Sequence, residues 1–144
     1  MKHNLLLSVM YSLVLALVFG CTSTRYSTSN ISSNLEIRYD GLYCRFYEDY
    51  TSYLRFYKDG TVISVSSTGS PEDLKKWFNA PYENSGTYSN VDNIISFETT
   101  SSVGTVSYHG KILKDRLVLD RHSYINGKDF KAEEYIFVVW INND

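Results

Sequence analysis

The chain is poor in the residues that usually carry metal or redox chemistry. Its 144 residues include 2 cysteines and 3 histidines, and none of them stands at a spacing typical of metal ligands. Basic residues are also scarce, because 14 Lys and Arg are outnumbered by 16 Asp and Glu, and no basic cluster exceeds a pair such as Lys75-Lys76. The sequence therefore predicts no metal, no cofactor and no nucleic-acid partner.

Catalytic groupings are lacking as well. No Ser-His-Asp set or pair of carboxylates follows from the spacing, and His109, which we expect to face Asp120 across the outer surface of two strands, has no nucleophile near it. We therefore expect a protein that is not an enzyme. What the chain does have is 43% hydrophobic and 15% aromatic residues, which is enough for one globular core.

The first 20 residues differ from everything that follows. Lys2 precedes an apolar run at 5–19, which is shorter than a membrane-spanning helix and typical of a cleaved signal peptide. The run ends in Val18-Phe19-Gly20-Cys21, which resembles the bacterial lipobox. That resemblance implies that Cys21 becomes the lipid-modified first residue of the mature protein; an ordinary signal peptide cleaved near Gly20 is the alternative.

Residues 21–37 are rich in Ser, Thr and Asn, which favours a flexible tether rather than a packed segment. By the lipobox resemblance, Thr22 in place of an aspartate implies the outer membrane. The membrane, reached through an N-terminal lipid such as palmitate, is thus an expected partner.

Residues 38–144 contain short β-rich runs at intervals of roughly ten residues, with turn residues between them. This pattern predicts an all-β fold, an antiparallel eight-stranded meander barrel with one short helix between strands 3 and 4. The predicted strands are 41–47, 52–58, 61–67, 85–89, 93–99, 104–113, 116–125 and 130–140. The helix is predicted over 70–78, where Ser70 caps the first turn and Leu74, Trp77 and Phe78 share one face.

A nearly repeated segment, Tyr43-Cys44-Arg45-Phe46-Tyr47 and Tyr53-Leu54-Arg55-Phe56-Tyr57, fits two adjacent strands of one sheet. A two-residue turn at Asp59-Gly60 sets Leu54 opposite Val65, and pairing the two segments sets Phe46 opposite Leu54, which predicts an apolar inner face and an outer belt of arginine and tyrosine. The predicted inner residues are Cys44, Phe46, Leu54 and Phe56. The predicted belt, a possible contact for a partner protein or sugar, consists of Arg45, Arg55, Tyr47 and Tyr57.

In the second half, a turn at Lys114-Asp115 places Tyr108 opposite Arg121. A four-residue loop at 126–129 then places Arg121 beside Glu134, with Leu119 beside Ile136. Tyr108, Arg121 and Glu134 would form an inward row, and inward charges need a partner or a purpose. The row is either a satisfied ion pair at the barrel rim, or a set of donors for the polar head of a ligand whose apolar remainder enters the barrel.

The lipobox ending at Cys21, the opening strand Gly41-Leu42-Tyr43 and the segment Phe56-Tyr57-Lys58-Asp59-Gly60-Thr61-Val62 together resemble the lipocalin-like (calycin-type) small lipoproteins of bacteria. The resemblance implies a lipid-anchored protein of the bacterial cell envelope whose barrel binds a small amphipathic ligand. The alternative is a filled barrel, since Phe46, Phe56, Phe97 and Phe137 are all predicted to point inward. A filled barrel would act as a protein-interaction, inhibitor or structural lipoprotein.

Overall fold

The computed structural model describes residues 35–70, 73–78 and 84–140, so the predicted signal peptide and Cys21 lie outside the described residues. Eight antiparallel strands pair in chain order, and the last pairs with the first to close a barrel. The predicted all-β, eight-stranded meander barrel is confirmed. The strands are β1 (Gly41–Phe46), β2 (Thr51–Phe56), β3 (Thr61–Ser67), β4 (Ser85–Val91), β5 (Ile94–Ser101), β6 (Gly104–Ile112), β7 (Arg116–Ser123) and β8 (Lys128–Val139). Within these ranges no helix has the length and apolar character needed to cross a membrane.

An aromatic cluster fills the middle of the barrel. The ring of Phe56 lies edge-to-face against those of Tyr43, Tyr88 and Phe97, at centroid distances of 5.6, 5.1 and 5.4 Å. Edge-to-face pairs of this kind add to the free energy of burying apolar surface. The buried residues of this cluster are Ile37, Tyr43, Leu54, Phe56, Val62, Ile95, Phe97, Tyr108, Ile112, Leu117, Leu119 and Tyr135.

Residues before β1 close one end of the barrel. Ile37, 3% exposed, packs into the aromatic cluster, and the amide of Leu35 donates to Asn93 Oδ1 in the β4–β5 turn at 2.7 Å. The Tyr39 and Tyr88 hydroxyls lie 3.1 Å apart. The packed part of the chain therefore includes residues that the sequence assigned to the tether, and the chain enters the barrel at this closed end.

A second apolar cluster lies on the outer face of β1 to β3. The predicted helix is reduced to a 3-10 turn at Lys75–Phe78, preceded by hydrogen bonds between Ser70 and Asp73 that resemble a helix cap. Leu74 and Phe78 are buried, but Trp77 is 46% exposed, so the predicted three-residue apolar face is wrong for Trp77. This cluster buries Leu42, Cys44, Tyr53, Ile63, Val65, Leu74 and Phe78, and Cys44 is a free thiol.

The predicted register of the first three strands is wrong. The β2–β3 turn contains three residues, with Gly60 at φ 89°, so Leu54 pairs with Ser64 and not with Val65. Between β1 and β2 the shift is also odd, because Leu54 pairs with Tyr43 where the sequence predicted Phe46. A register shift by an odd number of residues moves every side chain of the strand to the opposite face of the sheet. Cys44 and Phe46 therefore point outward, and Phe46 is 65% exposed.

In the second half, the predicted pairing of Tyr108 with Arg121 is confirmed, as is that of His109 with Asp120. The predicted β7–β8 register is wrong, because the loop consists of residues 124–127 and not 126–129, so Arg121 pairs with Phe130, and a bulge between Leu119 and Arg121 then pairs Leu119 with Glu133. Ala132 has φ 51° there, and its amide donates to the Asp120 carboxylate at 2.9 Å. The bulge adds a residue to β8 and so reverses its faces.

The barrel is self-contained. One compact unit extends from Ser33 to Asp144, and all eight strand pairings and both apolar clusters lie within it. Closure leaves no unpaired sheet edge that would need an outside strand. A chain that begins at Ser33 contains all of these strands and both clusters, so it is the form chosen for measurements of binding.

Candidate functional site

A cavity of about 340 Å³ opens at the end of the barrel opposite the closed one. Its mouth lies among the β1–β2, β5–β6 and β7–β8 loops, each of which contributes at least one residue. The lining residues are Tyr47, Tyr50, Ser52, Ser64, Ser66, Asn84, Thr99, Thr100, Ser101, Val103, Gly104, Val106, Tyr108, Arg121 and Ile125. Most of these carry a hydroxyl, an amide or a guanidinium group, so the site suits a ligand with a polar part.

The floor of the cavity belongs to the aromatic cluster. The Tyr108 ring stacks on Phe97 with centroids 4.5 Å apart, and its hydroxyl lies 3.3 Å from Ser64 Oγ. Arg121 is directly opposite Tyr108 on the neighbouring strand. The two residues that the sequence placed in an inward row are therefore together at the bottom of the cavity.

Glu133 is the acid of this site. Its side chain is 3% exposed, and its Oε2 accepts from Arg121 Nε at 2.8 Å. Its Oε1 accepts from the Tyr47 hydroxyl at 2.8 Å and from Arg121 Nη2 at 3.3 Å. Arg45 Nε lies 3.2 Å from the same oxygen. One carboxylate thus holds two guanidinium groups and a phenol near the cavity.

The site carries one more positive than negative charge. Burial alone would raise the pKa of Glu133, but hydrogen bonds from Arg121 and Tyr47 and the charges of Arg121 and Arg45 more than offset it, so its pKa lies below the usual value. Glu133 therefore stays ionised at neutral pH. Arg45 and Arg121 together supply two positive charges against that one negative charge. A half-buried excess of positive charge favours an anion.

Donors also remain available. The Arg121 guanidinium stacks on the Phe130 ring at 3.8 Å, and its hydrogen bonds within the described residues are made by Nε and Nη2. That leaves Nη1 of a cavity-lining residue for a ligand. Arg45 Nε is not such a donor, because it is buried 3.2 Å from Glu133 Oε1 and Arg45 does not line the cavity. A guanidinium group binds carboxylate and phosphate oxygens well because its donors are fixed in one plane.

The predicted third member, Glu134, is wrong for the inward row. It is exposed on the outer face, where its Oε2 accepts from Arg116 Nη1 at 3.0 Å. The β8 bulge places Glu133 inward in its stead. Sequence reasoning missed Glu133 because nothing near Ala132 signals a bulge, although the doublet of acids showed that one of the two would face the barrel interior.

The predicted arginine and tyrosine belt does not form a single surface. Arg45 lies on the inner face of β1 and Tyr47 follows the end of that strand, and the Arg45 guanidinium lies 5.0 Å from the Tyr47 ring beside Glu133. Arg55 lies on the outer face of β2, with its guanidinium 5.1 Å from the Tyr57 ring and 4.7 Å from Trp140. The odd register shift between β1 and β2 separates the two halves.

Fold and site together define a small closed antiparallel β-barrel that has a polar cavity open at one end, with Arg121 as its one charged lining residue among the described residues. The part of the chain that the structure describes contains no group of three or more His, Cys, Asp or Glu arranged to hold a metal ion. Comparisons with known protein families, with curated proteins and with solved structures found no match to this chain.

Proposed function

We propose that the protein is a lipid-anchored lipoprotein of the bacterial cell envelope whose barrel binds a small amphipathic ligand with an anionic head. The observation that carries the binding proposal is the cavity of about 340 Å³ with Arg121 and Tyr108 at its floor. Its wall offers donors and its one charged lining residue among the described residues, Arg121, is positive, so a carboxylate or phosphate group is the complementary head. The cavity size restricts the bound part to a small group.

The anchor is proposed from the lipobox-like Val18-Phe19-Gly20-Cys21. The place where the chain enters the barrel supports a role for such an anchor, because Leu35 and Ile37 pack at the closed end. An attachment made through the preceding residues would join the domain at the end opposite the cavity mouth. The mouth would then stay accessible to a ligand while the protein is held at a membrane.

The ligand-binding proposal predicts that Arg121 governs affinity for a carboxylate. In the chain that begins at Ser33, Arg121→Gln combined with Glu133→Gln removes the inner ion pair without leaving Glu133 unpaired. We expect the affinity for octanoate to fall about 10- to 100-fold, because a charge-assisted hydrogen bond is lost. Titration calorimetry measures the affinity for octanoate. The control is Arg116→Gln, on the outer face of the same strand, which should bind as the unchanged chain does.

Equal octanoate affinity in the inner double variant and in the Arg116→Gln control would contradict the proposed site. The Tyr108→Phe variant sharpens the test, because it keeps the ring that stacks on Phe97 and removes only the hydroxyl. We expect about a tenfold loss of affinity for Tyr108→Phe if that hydroxyl contacts the bound head.

The proposed lipid anchor predicts that replacing one cysteine, Cys21, abolishes lipid attachment completely. When the full chain is produced in a bacterial host with radiolabelled palmitate, Cys21→Ser should abolish incorporation of label and move the protein from the detergent phase to the aqueous phase. Cys44→Ser is the matched control and should keep the label. Cys44 is 1% exposed and burial raises the pKa of its thiol to about 12, so it is a poor acceptor. Label that persists in Cys21→Ser would overturn the anchor.

A second candidate function is interaction with another protein through the mouth. Large apolar side chains are exposed on two of its loops, with Val103 71%, Tyr124 61% and Ile125 48% exposed. Exposed apolar residues grouped in this way are typical of contact surfaces. An envelope protein that is retained by the unchanged domain, and lost with Val103→Ser, would favour this second function.

A further inference from the structure

The polarity of the residues that line the cavity changes between its mouth and its wall. Three residues at the mouth are apolar or aromatic, and Tyr50, Val103 and Ile125 both line the cavity and are exposed by 40%, 71% and 48%. They come from three of the four connections at this end, and the fourth, between β3 and β4, contributes Asn84. The wall below them is polar, with Ser52, Ser64, Ser66 and Thr99 among its lining residues.

Below this polar wall the barrel is filled. Of the buried aromatic cluster, Tyr108 alone lines the cavity, and its ring stacks on Phe97, which in turn contacts Phe56 at 5.4 Å. Ile37 packs into the same cluster from the closed end. A side chain that already fills this space would have to move before an apolar chain could enter, and close-packed interiors resist such movement. In the expected orientation the apolar remainder of the ligand would lie below the polar wall, where the aromatic cluster already fills the barrel.

From this order we infer that the ligand binds head first. Its anionic head reaches the donors of Arg121 and Tyr108, and its apolar chain leaves through the mouth across Tyr50, Val103 and Ile125. The inference rests on the proposed ligand-binding function and adds the orientation to it. It also defines the class of ligand as a single-headed anion on an apolar chain whose far end stays in solvent.

The orientation is tested with ligands that are modified either at the head or at the end of the apolar chain. The chain that begins at Ser33 is titrated with decanoate, with decanoate methyl ester, and with an alkanoate that carries a dansyl group on its terminal carbon. Head-first binding predicts that the dansyl alkanoate binds within about threefold of decanoate, while the ester loses at least about tenfold in affinity. Decylammonium, which has the opposite charge, should also lose at least about tenfold.

The mouth is tested separately. Val103→Ser should weaken decanoate binding about three- to fivefold and leave acetate binding unchanged, because only the longer ligand reaches the mouth. Val91→Ser is a matched control, since Val91 is 70% exposed beside the β4–β5 turn at the closed end. It should bind both ligands as the unchanged chain does.

The outcomes separate the inference from the function beneath it. If decanoate binds but the dansyl alkanoate does not, and the ester binds as decanoate does, the orientation is wrong and the ligand-binding function stands. If neither decanoate nor the dansyl alkanoate binds, the ligand-binding function itself fails. Sedimentation of the domain with phosphatidylglycerol vesicles, lost with Val103→Ser, would overturn the assignment to a free ligand and indicate that the mouth docks on a lipid surface.

Discussion

Replacing Glu133 with Gln is expected to lower the free energy of unfolding by about 3 kcal/mol, because it leaves two guanidinium groups without their shared carboxylate. That is near the lower end of the cost of breaking a buried ion pair, since Gln keeps one acceptor oxygen. Glu134→Gln is the matched control one residue away. Its pair with Arg116 is on the exposed outer face, where such pairs contribute at most about 1 kcal/mol.

Urea unfolding at neutral pH measures both changes. A loss in Glu134→Gln as large as that in Glu133→Gln would contradict the β8 bulge and favour the register in which Glu134 points inward. A combined Arg121→Gln and Glu133→Gln variant should recover part of the lost stability. It removes the more buried of the two guanidinium groups that Glu133→Gln leaves unpaired, so that only Arg45, whose side chain is 30% exposed, keeps an uncompensated charge.

The same carboxylate gives stability a defined pH dependence. The pKa of Glu133 is lower in the folded barrel than its ordinary value, so its contribution is fully present above the unfolded pKa of about 4.3. It is lost as the pH falls through the lower folded pKa. The stability difference between the unchanged chain and Glu133→Gln should therefore shrink on acidification below roughly pH 4. The difference for Glu134→Gln should stay small throughout.

Whether the sequence predicts the position of a site residue depends on the turns and bulges of the strands that carry it. Tyr108 and Arg121 were placed correctly because a short turn at Lys114-Asp115 joins their strands and no bulge interrupts the pairing. Glu134 was misplaced because one extra residue at Ala132 reverses a pattern with a period of two. A bulge of this kind depends on contacts such as the Asp120 carboxylate with the Ala132 amide, which the local sequence does not signal.

The inward and outward faces of the first strand were predicted wrongly for a different reason. Alternation predicts which face is buried when one face is exposed to water, but both faces of β1 are covered from Gly41 to Cys44. Tyr43 enters the barrel interior, while Leu42 and Cys44 lie under Leu74 and Phe78 on the outside. When a strand is apolar on both sides, its sequence does not indicate which face points into the barrel. The closed barrel was still predictable, because it requires only the number and spacing of the strands.

Among the glycines of the described residues, Gly86 is expected to tolerate replacement by alanine least. A Cβ built at Gly86 would lie 1.6 Å from the Glu98 carbonyl oxygen and 2.8 Å from its carbonyl carbon. Those are backbone atoms of β5, so no rotamer change can relieve the clash. Relief requires β4 to separate from β5, and overpacking of this severity costs at least about 3 kcal/mol.

Gly127→Ala is the control for Gly86→Ala. Gly127 has φ 66° in the β7–β8 loop, and nothing lies within 4 Å of the Cβ position. Alanine there meets only the backbone cost of a left-handed conformation, about 1–2 kcal/mol. Urea unfolding compares the two. Equal destabilisation would show that β4 and β5 are farther apart at Gly86 than the described backbone has them.

The Gly86 clash also reaches the cavity, because the residue after Glu98 is one of its walls. Thr99 and Thr100 line the cavity from β5, and Ser64 lines it from β3 on the other side of β4. Any shift of β5 away from β4 moves these hydroxyls apart. We therefore expect Gly86→Ala to lose octanoate binding at temperatures where part of the protein is still folded, whereas Gly127→Ala loses binding only as it unfolds. Circular dichroism and titration calorimetry at matched temperatures separate the two cases.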